Sequence, residues 1–492
     1  MKIFPSYQEF IKLAEHHTTI PVYAKLNTDL ETPVSIYYKL VGDGKGFMLE
    51  SAESGSSFGR YSFIGSQPFA YFSARPEHSE VITNDNIIRI EGKPLSALQE
   101  YLSTFSVAKL SPILPFSGGA VGYFSYETVG TWERNRCLDL PEDMLLAELM
   151  FCKVLITLDH LYHTTTVVYL AAMEDGKTPK ECYEQAIVKI KETALTLKQN
   201  LAFSQEEVTY ENNQDEEGLE TERDLQQKYI DMVVKAKEYI VAGDIFQVVL
   251  SQKYQCNLKC PPFLVYRRLR QLNPSPYMFY FNFGNRQVVG ASPEMLVKVQ
   301  NNKVETCPIA GTRPRGKNDE EDNKQATELL ADIKERAEHA MLVDLGRNDI
   351  GRVSMPGTVE VEQMMQVEMF SHVMHLVSRV SGKLDSQYTP LNALAACFPA
   401  GTLSGAPKVR AMEIISELEK DYRGPYGGAV GYIDFQGNMD TCITIRTMVV
   451  EGRKATIQTG AGIVADSVPE KEYEEIRHKA RALFQVLEEA EH

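Results

Sequence analysis

The sequence predicts an α+β fold in which layered, largely antiparallel sheets are flanked by helices. Strand-like runs, such as residues 288–299 and 454–462, alternate irregularly with helical stretches, such as residues 323–345 and 471–490. Neither a regular βαβ alternation nor a phosphate-binding loop is present, so a parallel doubly wound sheet is not expected.

The chain is too long for a single small core. Its 492 residues, of which 43% are hydrophobic, suggest two or more structural units. Its net charge of −16 argues against a nucleic-acid-binding protein, whose affinity depends on a basic surface. An anionic substrate would therefore be held by locally concentrated cations, by a metal or by backbone N–H groups.

Composition also predicts a cytoplasmic location. Residues 1–17 lack the apolar stretch of a secretion signal, and the chain has no run of about 18 apolar residues that could span a membrane. The eight cysteines include no CxxC pair, and Cys256 and Cys260 lack the second pair that would complete a zinc site. We expect free buried thiols and no membrane partner.

An acidic stretch divides the chain. Residues 204–224 combine many acids with few apolar side chains, which is typical of a linker. They follow residues 178–203, whose apolar side chains recur at helical spacing. We therefore predict an N-terminal segment over residues 1–203, a linker over 204–224 and a catalytic segment over 225–492.

Two glycine-rich stretches repeat each other. GGAVGYFSYE at residues 118–127 recurs as GGAVGYIDFQ at residues 427–436. Glycine pairs followed by alternating apolar and aromatic residues predict paired strands that lie close to another backbone. The repeat favours a shared structural role in a duplicated α/β architecture, with convergent strand chemistry as the alternative.

A third glycine run points to anion binding. Residues 459–462, TGAG, follow directly on a strand-like segment. Small residues there can expose backbone N–H groups to a ligand carboxylate, although a tight turn is an equal alternative. Arg446 adds a planar guanidinium that matches a carboxylate. The two features together favour a substrate that carries a carboxylate.

Five motifs carry a resemblance to a known family. PIAGTRPRG at residues 308–316 stands among GASPEMLV, AEHAMLVDLGRNDIGRV, FPAGTLSGAPK and IQTGAGIVADS. Together they resemble the chorismate-binding enzymes, and the resemblance covers most of the chain. It implies two layered sheets flanked by helices, forming one compact molecule with the N-terminal segment packed on the C-terminal one.

Two residues select a branch of this family. Ala310 precedes Gly311 as in the anthranilate-forming members, whereas the aminodeoxychorismate-forming members commonly carry lysine there. Gln247 occupies the position of a lysine that serves as base in water-adding relatives, whereas ammonia needs no such base. The resemblance thus implies conversion of chorismate and ammonia to anthranilate and pyruvate, a lyase reaction of tryptophan biosynthesis.

The resemblance assigns catalytic roles to three side chains. Glu294 matches the general acid that protonates the departing ring hydroxyl, which requires a raised pKa in an apolar site. His375 suits proton transfer near neutrality, and Gln247 completes the catalytic set. The implied chorismate contacts are Gly311, Thr312, Thr402, Tyr432, Arg446, Gly460, Ala461 and Gly462.

Glu338 and Glu475, each in a predicted helix, match the family's magnesium ligands. Mg²⁺ favours oxygen ligands and keeps several waters, so two protein carboxylates and a substrate carboxylate suffice. Without the resemblance, each glutamate would more often lie on a solvated helix face.

The resemblance also implies a tryptophan feedback site. Glu50 and Ser51 lie in MLES, where the family commonly has LLES, and Pro276, Tyr277 and Met278 lie in NPSPYM. Proline, tyrosine and methionine surfaces suit an aromatic ligand, with glutamate or serine fixing its amino group. A strand edge followed by a proline-rich turn is the structural alternative.

A partner subunit is implied as well. No cysteine lies in the nucleophile elbow of a glutamine amidotransferase, so ammonia is expected from solution or from a separate glutamine amidotransferase subunit, in a heterotetramer. Two other functions are alternatives. Aminodeoxychorismate formation is disfavoured by Ala310, and a catalytically inactive, tryptophan-binding regulatory subunit is disfavoured by the complete catalytic set.

Overall fold

The structure, a computed structural model, describes the chain apart from residues 53–58, 85, 112–113, 134–137, 174–175, 201–221, 371–372 and 492. Most of the predicted acidic linker therefore lies outside the described residues, and its last three residues begin a helix at Glu222.

The strands of the described chain are numbered in sequence order. They are β1 (Ile3–Phe4), β2 (Thr19–Asn27), β3 (Gly46–Glu50), β4 (Tyr61–Ala74), β5 (His78–Thr83), β6 (Ile87–Glu91), β7 (Gly119–Phe124), β8 (Ala147–Asp159), β9 (Thr164–Ala172), β10 (Gln247–Asn257), β11 (Tyr277–Asn282), β12 (Arg286–Ser292), β13 (Met295–Gln300), β14 (Lys303–Thr306), β15 (Ile309–Pro314), β16 (Glu360–Met369), β17 (Val373–Lys383), β18 (Gly405–Ala406), β19 (Ala429–Asp434), β20 (Met439–Ile443), β21 (Thr447–Glu451) and β22 (Lys454–Ile463).

The helices are numbered in the same way. They are α1 (Tyr7–Ala14), α2 (Pro33–Leu40), α3 (Pro94–Ser103), α4 (Pro179–Lys198), α5 (Glu222–Val241), α6 (Pro262–Leu272), α7 (Asp319–Ala331), α8 (Ile333–Gly351), α9 (Pro390–Cys397), α10 (Lys408–Leu418) and α11 (Pro469–Glu491), with short 3-10 helices at Tyr126–Thr131 and Gly401–Leu403.

Two antiparallel ladders share the long strands β4 and β8. The first runs β1–β2–β9–β8–β4–β3–β11–β12–β21–β22–β10–β18. The second runs β6–β5–β4–β8–β7–β19–β20–β13–β14–β17–β16, and β15 pairs with β17 beside β14. The predicted α+β fold with largely antiparallel sheets is confirmed.

The N-terminal and C-terminal segments contribute strands to the same sheets. β3 pairs with β11, and β7 pairs with β19. β7 and β19 are the two repeated stretches, and Gly122 lies opposite Gly431. A Cβ atom added at Gly122 would lie 2.0 Å from the carbonyl oxygen of Glu148, and one at Gly431 would lie 2.0 Å from that of Asp440. The repeated glycines thus permit the predicted close approach of a neighbouring backbone.

Helix ends follow local capping chemistry. The predicted helix in residues 178–203 is α4, which begins with a capping box between Thr178 and Glu181. The pattern over residues 323–345 predicted one helix, but the structure has two. Asp332 ends α7 and caps α8, because its side chain accepts from the backbone N–H groups of Lys334 and Glu335.

Helices α5, α10 and α11 cover one face of strands β10 and β22. Their buried contacts include Val233, Ile414 and Ile476, which pack with Leu250 and Ala461. Successive side chains alternate between the faces of a strand, so residues 460 and 462 belong to the opposite face. That face forms one wall of the cleft described below.

Two further observations concern the cysteines and the polarity of the helices. The seven cysteines in the described part of the chain are free thiols. Within the residues that the structure describes, every helix is too short or too polar to cross a membrane.

Candidate functional site

Glu294 enters the cleft directly after strand β12. Its backbone carbonyl accepts from the N–H of Ile443, and its carboxyl oxygen Oε1 accepts from the hydroxyl of Thr402 at 3.0 Å. Burial raises the pKa of Glu294 to about 8, against the smaller lowering effects of Thr402 and Arg446. The side chain therefore holds its proton at neutral pH, as a general acid requires.

His375 lies across the cleft on β17. Its Nδ1 is 2.9 Å from the carbonyl oxygen of Gly311 and 3.1 Å from the hydroxyl of Thr312. A carbonyl can only accept, so Nδ1 carries a proton in this arrangement and Nε2 presents a lone pair. Burial lowers the pKa of His375, and the charge of Arg446 lowers it further. A neutral imidazole that can accept a proton at Nε2 follows.

Gly311 lies at a bulge that shapes this side of the cleft. The pairing of β15 with β17 shifts between Ala310 and Thr312, which leaves Gly311 unpaired. Its φ is +63°, in the left-handed region that favours glycine. The bulge turns the carbonyl of Gly311 and the hydroxyl of Thr312 toward His375.

Residues 459–462 lie within strand β22, so they form neither a loop nor a tight turn. Ser251 lies opposite Gly460, and Val249 lies opposite Gly462. The N–H groups of Ser251 and Val249 donate to groups outside β22. In an antiparallel ladder the residues of such a pair point outward together, so Gly460 and Gly462 direct their N–H groups to the open edge of β22. The sequence predicted exposed N–H groups in this glycine run. The structure provides them at the open edge of a strand.

Gln247 and Tyr426 lie against these two glycines. A Cβ atom added at Gly462 would be 2.6 Å from Nε2 of Gln247, and one at Gly460 would be 2.7 Å from the hydroxyl of Tyr426. Glycine is required at position 460, where a Cβ atom would also lie 2.7 Å from the backbone carbonyl oxygen of Leu250, whereas at position 462 the end of the Gln247 side chain could shift. Sequence reasoning missed Tyr426, which lies at the start of the second repeated stretch in the sequence PYGG.

Arg446 connects the two proton-transfer groups. It lies between strands β20 and β21 with a positive φ of 49°. Its charge lowers the pKa of both Glu294 and His375, so it lies within electrostatic range of each. The structure therefore places Arg446 near both Glu294 and His375, and Thr402 against Glu294.

Glu338 on α8 lies within electrostatic range of Glu475 on α11. Burial raises the pKa of Glu338, and the negative charges of Glu335 and Glu475 raise it further. Glu475 pairs with Lys479 at 2.7 Å, and Lys479 also donates to the carbonyl of Gly460 at 3.0 Å. Glu335, one helical turn before Glu338, was missed although its three-residue spacing places both on one face.

This carboxylate pair is suitable for a hard cation. Mutual repulsion between Glu338 and Glu475 is what a divalent cation would relieve. No three His, Cys, Asp or Glu side chains in the described ranges are arranged to enclose a metal. A cation held by the two glutamates would take its other ligands from water and substrate, which is the coordination that Mg²⁺ favours.

The predicted feedback residues surround a cavity of about 410 Å³ on the other side of β13. Ser51, Pro276 and Tyr277 line it, and the hydroxyl of Ser51 is buried without a hydrogen-bond partner in the described chain. Glu50 and Met278 also border the cavity, but the alternation of strand faces turns their side chains away. Met278 packs in the core behind it.

The carboxylate of Glu50 is fixed on that far side. It accepts from Arg270 at 2.8 and 2.6 Å and from the hydroxyl of Tyr266 at 2.9 Å. Of the two side chains predicted to meet a ligand amino group, Glu50 is therefore already paired, and Ser51 is the one whose hydroxyl remains to be paired at the cavity.

Tyr432 is not with the other predicted substrate contacts. It lies on β19 and lines the same cavity as Ser51, whereas Tyr426 lies at the cleft. The sequence resemblance assigned a chorismate contact to Tyr432, whereas Tyr426, six residues earlier and before β19 begins, lies against Gly460.

Comparisons with known proteins agree with this geometry. Residues 46–485 match a family described as chorismate binding enzyme. The chain is 45% identical to anthranilate synthase component 1 of Acetivibrio thermocellus, over 99% of both chains. It is also 45% identical to anthranilate synthase component 1 of Aquifex aeolicus, over 100% of this chain and 99% of the relative.

Solved structures give the same family. Anthranilate synthase component I from Streptococcus pneumoniae superposes with a TM-score of 0.73 at 36% identity, covering 93% of this chain and 98% of that one. The Escherichia coli isochorismate synthase MenF, at 18% identity and a TM-score of 0.70, shares the fold over 98% of this chain and 99% of its own. The family match over most of the chain and the near-complete coverage by relatives establish that the chain belongs to the chorismate-binding enzymes.

Proposed function

We propose that this chain is the large subunit of an anthranilate synthase, which converts chorismate and ammonia to anthranilate and pyruvate. The geometry that carries the proposal is the hydrogen bond from Thr402 to the buried carboxyl of Glu294 and the contact of His375 Nδ1 with the carbonyl of Gly311, with Arg446 within electrostatic range of both side chains. The relatives named anthranilate synthase component 1 support the same activity.

The first step needs an acid. Ammonia adds to the ring beside the carboxylate as the ring hydroxyl departs, and Glu294 protonates that hydroxyl so that it leaves as water. Thr402 keeps the carboxyl group in place by its hydrogen bond to Oε1. Gln247 is uncharged and lies beside Gly462, which suits a nucleophile that needs no base to remove a proton before attack.

The second step needs a base. Loss of a ring proton makes the ring aromatic as the enolpyruvyl C–O bond breaks, and the released enol becomes pyruvate. Nε2 of His375 has the lone pair for this transfer, because Nδ1–H donates to the carbonyl of Gly311. The bulge at Gly311 therefore sets the tautomer of the base.

Substrate carboxylates would be held by Arg446 and by the outward N–H groups of Gly460 and Gly462. Glu338 and Glu475 would hold Mg²⁺, which supplies charge neutralisation for a substrate carboxylate when it is bound. Arg446, the N–H groups and a bound Mg²⁺ would thus supply local positive potential in a chain whose net charge is −16.

Tryptophan would bind in the cavity beside Ser51 as a feedback inhibitor. A volume of about 410 Å³ with aromatic walls at Tyr277 and Tyr432 suits an indole ring. The partner subunit would be a glutamine amidotransferase, because the sequence contains no nucleophile elbow for glutamine hydrolysis.

The test is an activity measurement on the purified chain. Incubation with chorismate, Mg²⁺ and an ammonium salt should give anthranilate fluorescence and an equal amount of pyruvate. Glutamine in place of ammonium should give product only after a glutamine amidotransferase subunit is added. Formation of aminodeoxychorismate, or consumption of chorismate without anthranilate, would contradict the proposal.

A further inference from the structure

Arg423 is a buried arginine that the steps above do not use. It is 3% exposed and lies between α10 and β19. Its guanidinium forms a fork with Glu419, with Nε to Oε2 at 2.7 Å and Nη2 to Oε1 at 2.6 Å. It also donates to the carbonyl oxygens of Leu403 at 2.7 Å and Val249 at 2.8 Å. The side chain is thus bonded to three separate parts of the chain.

Each of these parts carries a group of the cleft. Leu403 follows Thr402, which donates to Glu294. Val249 lies opposite Gly462 in the β10–β22 ladder. The guanidinium carbon is also 5.7 Å from the ring centre of Tyr426, which lies against Gly460. Arg423 therefore joins the holder of the general acid, the glycine edge and Tyr426.

The N-terminal segment fixes Arg423 from the other side. Glu127, 1% exposed, accepts from the backbone N–H groups of Arg423 and Gly424. The backbone N–H of Tyr126 donates to the carbonyl of Gly424 at 2.8 Å, and the ring centre of Tyr126 lies 4.6 Å from the guanidinium. Residues of the first repeated stretch thus hold the loop that leads into the second.

We propose that Arg423 is a positioning residue that sets the relative placement of Thr402, Gly462 and Tyr426 for the reaction; this role rests on the proposed function. A buried ion pair gives little net stability over well-packed apolar residues, so stability alone does not explain this one. The planar fork can serve Glu419, Leu403 and Val249 together, which a lysine ammonium on a flexible stem cannot do.

The first test is Arg423→Lys. Turnover should fall on the order of 100-fold, because displacements of about 1 Å at catalytic groups have effects of this size. The pH profile should change as well. Thr402 lowers the pKa of Glu294, so a weakened Thr402 contact should move the alkaline limb to higher pH. The other charged or titratable groups near Glu294 include Arg446, which stays charged, and Asp349, which lines a cavity with Glu294 and pairs with Lys408 at 2.8 Å. The thiols of Cys307 and Cys397 line the same cavity and stay neutral because burial raises their pKa.

A matched control and a second variant separate positioning from folding. Arg410→Lys changes a partly exposed arginine of α10 that pairs with Glu413 on α10 and with Asp244 before β10, and it should leave turnover and the pH profile unchanged. The double variant Arg423→Met with Glu419→Met replaces the ion pair by apolar side chains, which proteins often tolerate. It also leaves the backbone N–H of Ser251 without its acceptor Glu419, so it should melt at a lower temperature than the parent but still cooperatively, with the same loss of turnover.

The outcomes are distinguishable. A parent chain that forms no anthranilate contradicts the proposed function, and the positioning role with it. An active parent whose Arg423→Lys variant keeps its turnover and its alkaline limb overturns the positioning role alone. If both Arg423 variants lose cooperative melting while Arg410→Lys does not, Arg423 is structural and the positioning role is overturned.

Discussion

The catalytic cleft and the cavity beside Ser51 adjoin each other, yet they treat buried carboxyl groups in opposite ways. In the cleft, Glu294 meets the neutral hydroxyl of Thr402, and burial raises its pKa to about 8. Beside the cavity, Glu50 forms two hydrogen bonds with Arg270. A buried carboxyl that meets a hydroxyl can carry a proton near neutral pH, whereas one that is clamped by a guanidinium holds strands together.

Charged side chains that line the cavity are, like Glu50, held by partners. Lys298 pairs with Asp440 at 3.1 Å, and the hydroxyl of Tyr277 donates to Asp440 at 3.1 Å. The cavity therefore offers a ligand fixed dipoles and apolar surfaces, with the hydroxyl of Ser51 left to be paired. The comparison thus sets a carboxyl group that can carry a proton, in the cleft, against a buried hydroxyl at the cavity that has no partner among the described residues.

The largest expected effect tests the cation site of the cleft. Glu338→Gln and Glu475→Gln should each abolish magnesium-dependent turnover, because each removes a charge with little change of shape. The metal-free Glu338→Gln chain should melt no lower than the parent, since burial and like charges already raise the pKa of Glu338. Anthranilate fluorescence across a magnesium titration is the measurement.

Glu474→Gln is the matched control for this pair, because Glu474 is the exposed neighbour of Glu475 on α11. It should keep the magnesium dependence of the parent. Near-normal turnover in either Glu338→Gln or Glu475→Gln, with the parent's magnesium dependence, would remove that residue from the cation site.

The next effect tests the acid. Glu294→Gln should lower kcat by about 10²- to 10⁴-fold, the usual contribution of a general acid. In the parent, kcat/KM at constant free ammonia should fall as pH rises through about 8, because Glu294 then loses its proton. Folding raises this pKa from 4.5, so ionisation disfavours the folded state progressively between the two values. Glu294→Gln should therefore be more stable than the parent at pH 8.

Glu50→Gln is the opposite case. It removes a charge from the clamp with Arg270, so it should lower the free energy of unfolding by about 1–3 kcal/mol with little change in uninhibited turnover. Denaturant unfolding and anthranilate assays on the two variants check both halves of the comparison. If Glu294→Gln and Glu50→Gln changed the free energy of unfolding and the turnover in the same way, the proposed difference between cleft and cavity would be wrong.

A smaller effect tests the cavity as a feedback site. Ser51→Phe should fill it and relieve inhibition by tryptophan while leaving uninhibited turnover nearly unchanged. Allosteric coupling of about 1–3 kcal/mol would make the parent bind chorismate roughly 5- to 150-fold more weakly in the presence of tryptophan, and the reverse by the same factor. Calorimetry on the parent and on Ser51→Phe measures the binding of chorismate and tryptophan. An absence of tryptophan binding to the parent would refute the assignment.

The smallest effect separates the two tyrosines of the repeated stretch. Tyr426→Phe should lower kcat/KM for chorismate by about 2- to 10-fold, as expected for one hydrogen bond, and leave tryptophan affinity unchanged. Tyr432→Phe should do the reverse, because its side chain lines the cavity. Steady-state kinetics and calorimetry on the pair are sufficient. A loss of chorismate efficiency in Tyr432→Phe alone would restore the original assignment of Tyr432.

Local sequence patterns predicted what local chemistry controls. The capping box at Thr178 and Glu181 marks the start of α4, and alternation with glycine pairs marks β7 and β19. Motif matching identified Glu294 and His375 as members of one cleft. It did not separate Tyr432 from Tyr426, because a motif gives the order of residues along the chain but not which of them reaches the cleft.

The sequence by itself determined the α+β class, the family and the residue types that transfer protons and bind carboxylates, because periodicity and short motifs depend on neighbours along the chain. Tertiary structure alone decided the protonation of Glu294, the tautomer of His375 and the clamp on Glu50. Each of these depends on burial and on partners far away in sequence, such as Thr402 for Glu294 and Arg270 for Glu50. Burial and pairing between distant segments exist only after the sheets have formed.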